Sequence, residues 1–66
     1  MEKVIEYFGS QVKLANALNK KYDLNITTSH VYYWIKNGVP IKRAKQIEKL
    51  TDGLFNRRYL RPDIFD

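Results

Sequence analysis

No cysteine occurs in the 66 residues, so neither a disulfide framework nor a thiolate zinc site can supplement the core. The single histidine, His30, cannot make a histidine-rich metal site, and neither a metal nor a cofactor is expected. No apolar run approaches the roughly 20 residues that a membrane span requires, and Met1, Glu2, Lys3 and Val4 lack the apolar stretch of a signal peptide. A cytoplasmic setting is the expectation. A Gly-rich phosphate loop is also missing. The carboxylates Glu2, Glu6, Asp23, Glu48, Asp52, Asp63 and Asp66 form no obvious acid/base pair, and the histidine has no evident nucleophile partner. These absences argue against an enzyme.

With 44% hydrophobic and 29% charged residues the chain has the composition of an ordinary folded domain, well away from the signature of disorder. A chain this short buries only about 60% of the surface its unfolded form exposes, which allows one small core in one domain. Net charge is +5, which implies attraction to polyanions such as nucleic acid. The first 36 residues carry five cations against three anions and the remainder seven against four, so the excess belongs to the whole domain and not to a basic tail.

Apolar spacing predicts an all-α fold of four or five helices. Val4, Ile5 and Phe8 recur at helical intervals before Gly9, which can end a helix. Ser10 offers an N-cap hydroxyl to a second helix over residues 11–21, with Leu14, Ala15, Leu18 and Tyr22 on one face. Asp23, Leu24 and Asn25 favour a turn, and Ile26 is apolar enough to plug the core beneath it. Thr27 caps a third helix over residues 28–36, in which Val31, Trp34 and Ile35 form the buried stripe, and Asn37 and Gly38 close it. Pro40 suits the first turn of a fourth helix through Leu50, with Ala44, Ile47 and Leu50 facing inward. Asn56 caps one more turn through Tyr59 and Leu60, although the alternation of Phe55, Arg57, Tyr59 and Arg61 also reads as an edge strand. The last residues read as irregular. Arg61, Pro62 and Asp63 read as a lock on this segment, through an ion pair or carbonyl contacts.

Two helices joined by a short turn make a DNA-reading head when the first braces on the phosphate backbone and the second enters the major groove, about 12 Å wide. Leu14, Ala15 and Leu18, followed by Ile26, Val31 and Trp34, resemble the helix-turn-helix of the Cro and repressor proteins of temperate phages. Three further blocks resemble the C-terminal half of Cro-like prophage regulators, an ending shared with YdaS-type antitoxins. They are Gly38, Val39, Pro40, Arg43 and Ala44; Ile47, Glu48, Thr51 and Gly53; and Arg58, Leu60, Arg61, Pro62 and Asp63. The family pattern places the apolar turn residue directly after a Gly that follows the Leu18 position. This chain instead interposes residues 19–25, so the second helix gains a turn and the connection lengthens.

The resemblance implies a single helix-turn-helix domain over residues 1–66, with its motif at residues 10–36, acting as a sequence-specific transcriptional repressor on double-stranded DNA in a bacterial host cell. Carried over by position, Thr28, Ser29, Tyr32 and Tyr33 are the candidate base readers, since hydroxyls bond several base atoms and tyrosine adds contact with a thymine methyl. Ser10, Gln11, Lys36 and Arg43 are the candidate phosphate contacts, with Lys13 and Lys42 as further anchors. His30 reads equally well as a solvated helix residue. The implied partner is a pseudo-palindromic operator bound by a homodimer that is weak or monomeric off DNA. Two other readings stay open: an antitoxin-type regulator holding a protein partner, and a small protein-interaction module whose basic charge is incidental.

Overall fold

The computed structural model describes residues 1–65; Asp66, counted above among the carboxylates and at the domain's end, lies outside the described residues. Five helices follow one another: α1 (Glu2–Phe8), α2 (Gln11–Tyr22), α3 (Thr28–Asn37), α4 (Ile41–Leu50) and α5 (Arg57–Leu60). Among the described residues there is no strand, so the fold is all-α.

Each helix starts and stops where local chemistry directs it. The α1 helix ends at Gly9, whose φ of 108° is open to glycine and strained for other residues. Ser10 then caps α2, its hydroxyl accepting from the Lys13 N–H at 3.1 Å. The α3 helix stops at Gly38, with φ of 101° and ψ of 148°, a conformation that an L side chain adopts only under strain. Pro40 stands just before α4 and not inside it. Its ψ of 150° is extended, while its carbonyl still accepts the Ala44 N–H at 2.9 Å.

The core is a single cluster contributed by every helix but the last: Val4 from α1; Leu14, Ala15 and Leu18 from α2; Val31 and Trp34 from α3; and Ala44 and Ile47 from α4, closed by Ile26, Val39 and Phe55 from the connections. Val39 and Phe55 were not expected there. Val39 follows the glycine that ends α3. Phe55 is held by Thr51, whose buried hydroxyl donates to the Ile47 carbonyl at 2.9 Å and accepts from the Phe55 N–H at 3.2 Å. A short connection thus folds back over the core with its polar groups satisfied.

Ile35 is a correction, for it is 42% exposed and not part of the buried stripe. At about 100° per residue, the direction midway between Val31 and Trp34 leaves Ile35 about 70° to one side, beyond the face that docks on α2. The edge-strand alternative for the C-terminal segment also fails. Asn56 caps α5 by accepting from the Tyr59 N–H at 2.8 Å, which commits that stretch to a helical turn. Beyond α5, Arg61 acts as the expected lock. Its Nη1 donates to the Val39 carbonyl at 2.8 Å, and its Nε and Nη2 form a two-pronged pair with Asp63 at 3.0 and 2.8 Å. The C-terminal segment is thereby tied to the loop that leaves α3.

Candidate nucleic-acid interface

The α3 helix presents one face to the core and the other to solvent. Val31 is fully buried and Trp34 is 5% exposed, which fixes the helix rotation. Helical spacing then sets Ser29, Tyr32, Tyr33 and Lys36, at i, i+3, i+4 and i+7, in a single stripe opposite them. Tyr32 and Tyr33 are 53% and 62% exposed, far above what a packing role requires. The Lys36 Nζ lies 5.3 Å from the centre of the Tyr32 ring, a cation–π contact that draws the ammonium along the stripe. Thr28 is exposed as well, but about 90° from the core direction, so it flanks the stripe without belonging to it.

The lengthened connection between α2 and α3 is held by one side chain. Asn19 donates from Nδ2 to the Ile26 carbonyl at 2.9 Å and accepts at Oδ1 from the Ile26 N–H at 2.7 Å. Asp23 turns the chain in the left-handed region (φ 54°, ψ 53°), which Asp tolerates better than most residues. The extra turn of α2, expected through Tyr22, is present, and Ile26 still reaches the core as its plug. Nothing short of pairing residue 19 with residue 26 would have revealed the Asn19 clamp. The available signal was an amide-bearing residue near the end of a helix that precedes an irregular stretch.

The start of α3 is a reciprocal capping box. The Thr27 hydroxyl accepts from the His30 N–H at 3.4 Å, and the Thr27 N–H donates to His30 Nδ1 at 3.0 Å. Thr27 is therefore the expected cap. His30, though exposed, has its ring engaged there, a role that the Thr-x-x-His spacing signals once imidazole is admitted as the acceptor.

Of the candidate phosphate contacts, Lys36 lies in the stripe itself, and the others lie on the two flanks of α3, in different surroundings. Gln11 shares a groove with Glu2, Ile5, Glu6 and Ile35, so two carboxylates stand beside the α2 N-terminus, where the Ser10 hydroxyl oxygen serves as the cap acceptor. Those carboxylates oppose a phosphate there. On the other flank, Arg43 shares a groove with His30, Trp34, Pro40 and Lys42, and among the described residues no carboxylate lines it. Arg43 is half-buried and donates from Nη1 to Gln46 Oε1 at 2.8 Å, which steadies the guanidinium along α4.

A second charged group lies away from α3. Arg57 donates through Nε and its own backbone N–H to Glu48, at 2.9 and 3.1 Å, and its Nη2 stands 2.8 Å from Glu48 Oε1. These side-chain bonds, then the backbone bond, hold the Glu48 carboxyl below its ordinary range. The Asp63 carboxyl is lowered in the same manner by Arg61. The Glu48–Arg57 pair ties α5 to α4, and Arg61, braced by Asp63, ties the C-terminal turn to Val39; the two pairs engage two of the four acidic residues described outside α1. Among the described residues, no helix is long and apolar enough to cross a membrane.

No curated protein and no solved structure matches the chain. A family model described as bacterial toxin YdaS matches residues 1–66, the whole length. By that match, and with a helical fold that agrees with it, the chain belongs to the bacterial toxin YdaS family.

Proposed function

We propose that this protein is a sequence-specific double-stranded DNA-binding repressor of Cro-like type, acting in the cytoplasm of a bacterial host with α3 in the major groove. The observation that carries the proposal is the exposed stripe of Ser29, Tyr32, Tyr33 and Lys36 on a helix whose rotation Val31 and Trp34 fix. Thr28 adds a hydroxyl at the edge of the stripe. Arg43 and Lys36 meet phosphates, as do the first N–H groups of α2 at Ser10 and Gln11. These contacts position the protein without choosing a sequence.

Size supports assembly on DNA in place of a tight free dimer. Half-sites one helical turn apart lie about 34 Å centre to centre. The molecule's largest extent is 28 Å, so two copies at that spacing meet only through the tips of side chains. The expected target is a pseudo-palindrome read by two copies that associate weakly or not at all off DNA.

Selection of bound sites from random DNA, followed by alanine variants, tests the reading. Ser29→Ala and Tyr33→Ala should each cost about 1–3 kcal/mol on the selected operator and little on random duplex, whereas Arg43→Ala should weaken both alike. If Tyr33→Ala changed neither, α3 would not be the reading helix.

The family description favours a second reading, a toxin- or antitoxin-type regulator that engages a protein partner. Induced expression in bacteria separates the two. Growth arrest that disappears with Tyr33→Ala traces the harm to DNA binding, while arrest that survives loss of DNA binding points to a protein target.

A further inference from the structure

We propose that His30 is a further DNA contact: the capping box fixes its ring proton on Nε2 and leaves that N–H as a donor to a backbone phosphate. The inference rests on the DNA-binding reading of α3 and adds to it a residue and a flank. Which ring nitrogen carries the proton is set by the hydrogen bond the other one makes. Here the Thr27 N–H donates to Nδ1 at 3.0 Å, so Nδ1 supplies a lone pair and the proton sits on Nε2. The ring is exposed, so that N–H is open to a ligand.

The surroundings select the acceptor. Lys42 and Arg43 line the same groove as His30, together with Trp34 and Pro40, and among the described residues no carboxylate lines it. An anionic oxygen placed there meets three donors, two of them cationic, with no opposing charge. His30 lies about 70° from the core direction of α3, on the side opposite Ile35, so it faces the wall of a DNA groove and not its floor. The wall carries phosphates and the floor carries base edges, so the contact positions the protein without selecting sequence. The groove on the other flank, with Glu2 and Glu6, lacks this property, which makes the His30 side the stronger phosphate clamp.

The test has two readouts. In the free protein, long-range ¹⁵N–¹H spectra of the imidazole should show Nδ1 unprotonated and Nε2 protonated; the reverse assignment would overturn the lock. For binding, a random-sequence duplex of about two helical turns serves as the probe. His30→Gln keeps both a cap acceptor and a donor, and should bind within about threefold of wild type. His30→Glu keeps the capping acceptor, and with it the thermal midpoint, but removes the donor; it should bind about tenfold more weakly or worse. Asn25→Glu adds the same charge to the same groove with His30 intact, so it should lose several-fold by repulsion alone and still bind at least about threefold more tightly than His30→Glu if the donor matters. Equal losses for His30→Glu and Asn25→Glu would overturn the His30 contact while leaving DNA binding in place. A wild-type protein that binds no duplex would instead overturn the DNA reading itself.

Discussion

Asn19 sits one turn before α2 ends, and its amide answers both polar groups of Ile26, at 2.9 and 2.7 Å. Removing one partner of a part-buried hydrogen bond leaves the other unsatisfied, at a cost of about 1–3 kcal/mol. Asn19→Ala should therefore lower the unfolding free energy by about that amount in urea titration, and Lys20→Ala, one residue on and exposed, should stay within about 0.5 kcal/mol. Asn19→Asp keeps an acceptor for the Ile26 N–H but sets a carboxylate against the Ile26 carbonyl, so it too should destabilise. Glu48 is one of two carboxyls, with Asp63, through which acid acts. Its carboxyl is held low by Arg57, so the folded state binds a proton less readily than the unfolded chain. The stabilisation is complete above the ordinary glutamate value of about 4.3 and drains away as pH falls through the lowered folded value. Thermal midpoints of wild type and Glu48→Gln should then differ near neutrality and converge in strong acid. A gap that persists unchanged at pH 2 would contradict the Arg57 pairing as its source.

At the scale of elements, the boundaries of α1, α2 and α3 are legible because each is written in local chemistry: Gly9, Ser10 and Thr27 are punctuation whose effect depends on neighbours within four residues. The clamp of Asn19 on Ile26, seven residues away, and the bond from Arg61 to Val39, twenty-two residues away, depend on how elements dock. Spacing alone gave no sign of the first and only the type of contact for the second. Ile35 shows the same limit at one position, because period alone does not tell how wide a face the neighbouring helix covers. The α5 helix is only four residues long and has no buried residue of its own, so it is held by the Glu48–Arg57 bonds, by partly buried Leu60 and by Phe55, which packs against Tyr7 and Tyr59 with ring centres 5.6 Å apart in each pair. Phe55→Ala should cost about 3–5 kcal/mol. Amide exchange should show residues 56–65 losing protection before α2 does; uniform loss across the chain would mean that α5 is not the weakest element.

For the molecule as a whole, the net charge of +5 matters less than its distribution about α3. One flank carries His30, Lys42 and Arg43, and the other carries Glu2 and Glu6 beside Gln11. Converting Glu6 to Gln removes a charge that opposes phosphate at the α2 N-terminus, and it should tighten binding to any duplex by several-fold at low salt, less at high salt. Unchanged binding would place the DNA away from that flank. The candidate base readers came from the family resemblance, and helical spacing then sets Ser29, Tyr32 and Tyr33 on one exposed face; the inequality of the flanks was not legible, because it joins α1 to α3 and α3 to α4 across the fold. On the proposed reading, α3 reads DNA while cations about it hold the backbone. The measurement that tests it most directly is the affinity of wild type for its selected operator and for random duplex, followed from about 50 to 200 mM salt. Both affinities should fall steeply with salt along roughly parallel lines, with the operator bound more tightly throughout and Tyr33→Ala narrowing the gap between them. A salt-independent affinity, or operator and random DNA bound alike, would contradict it.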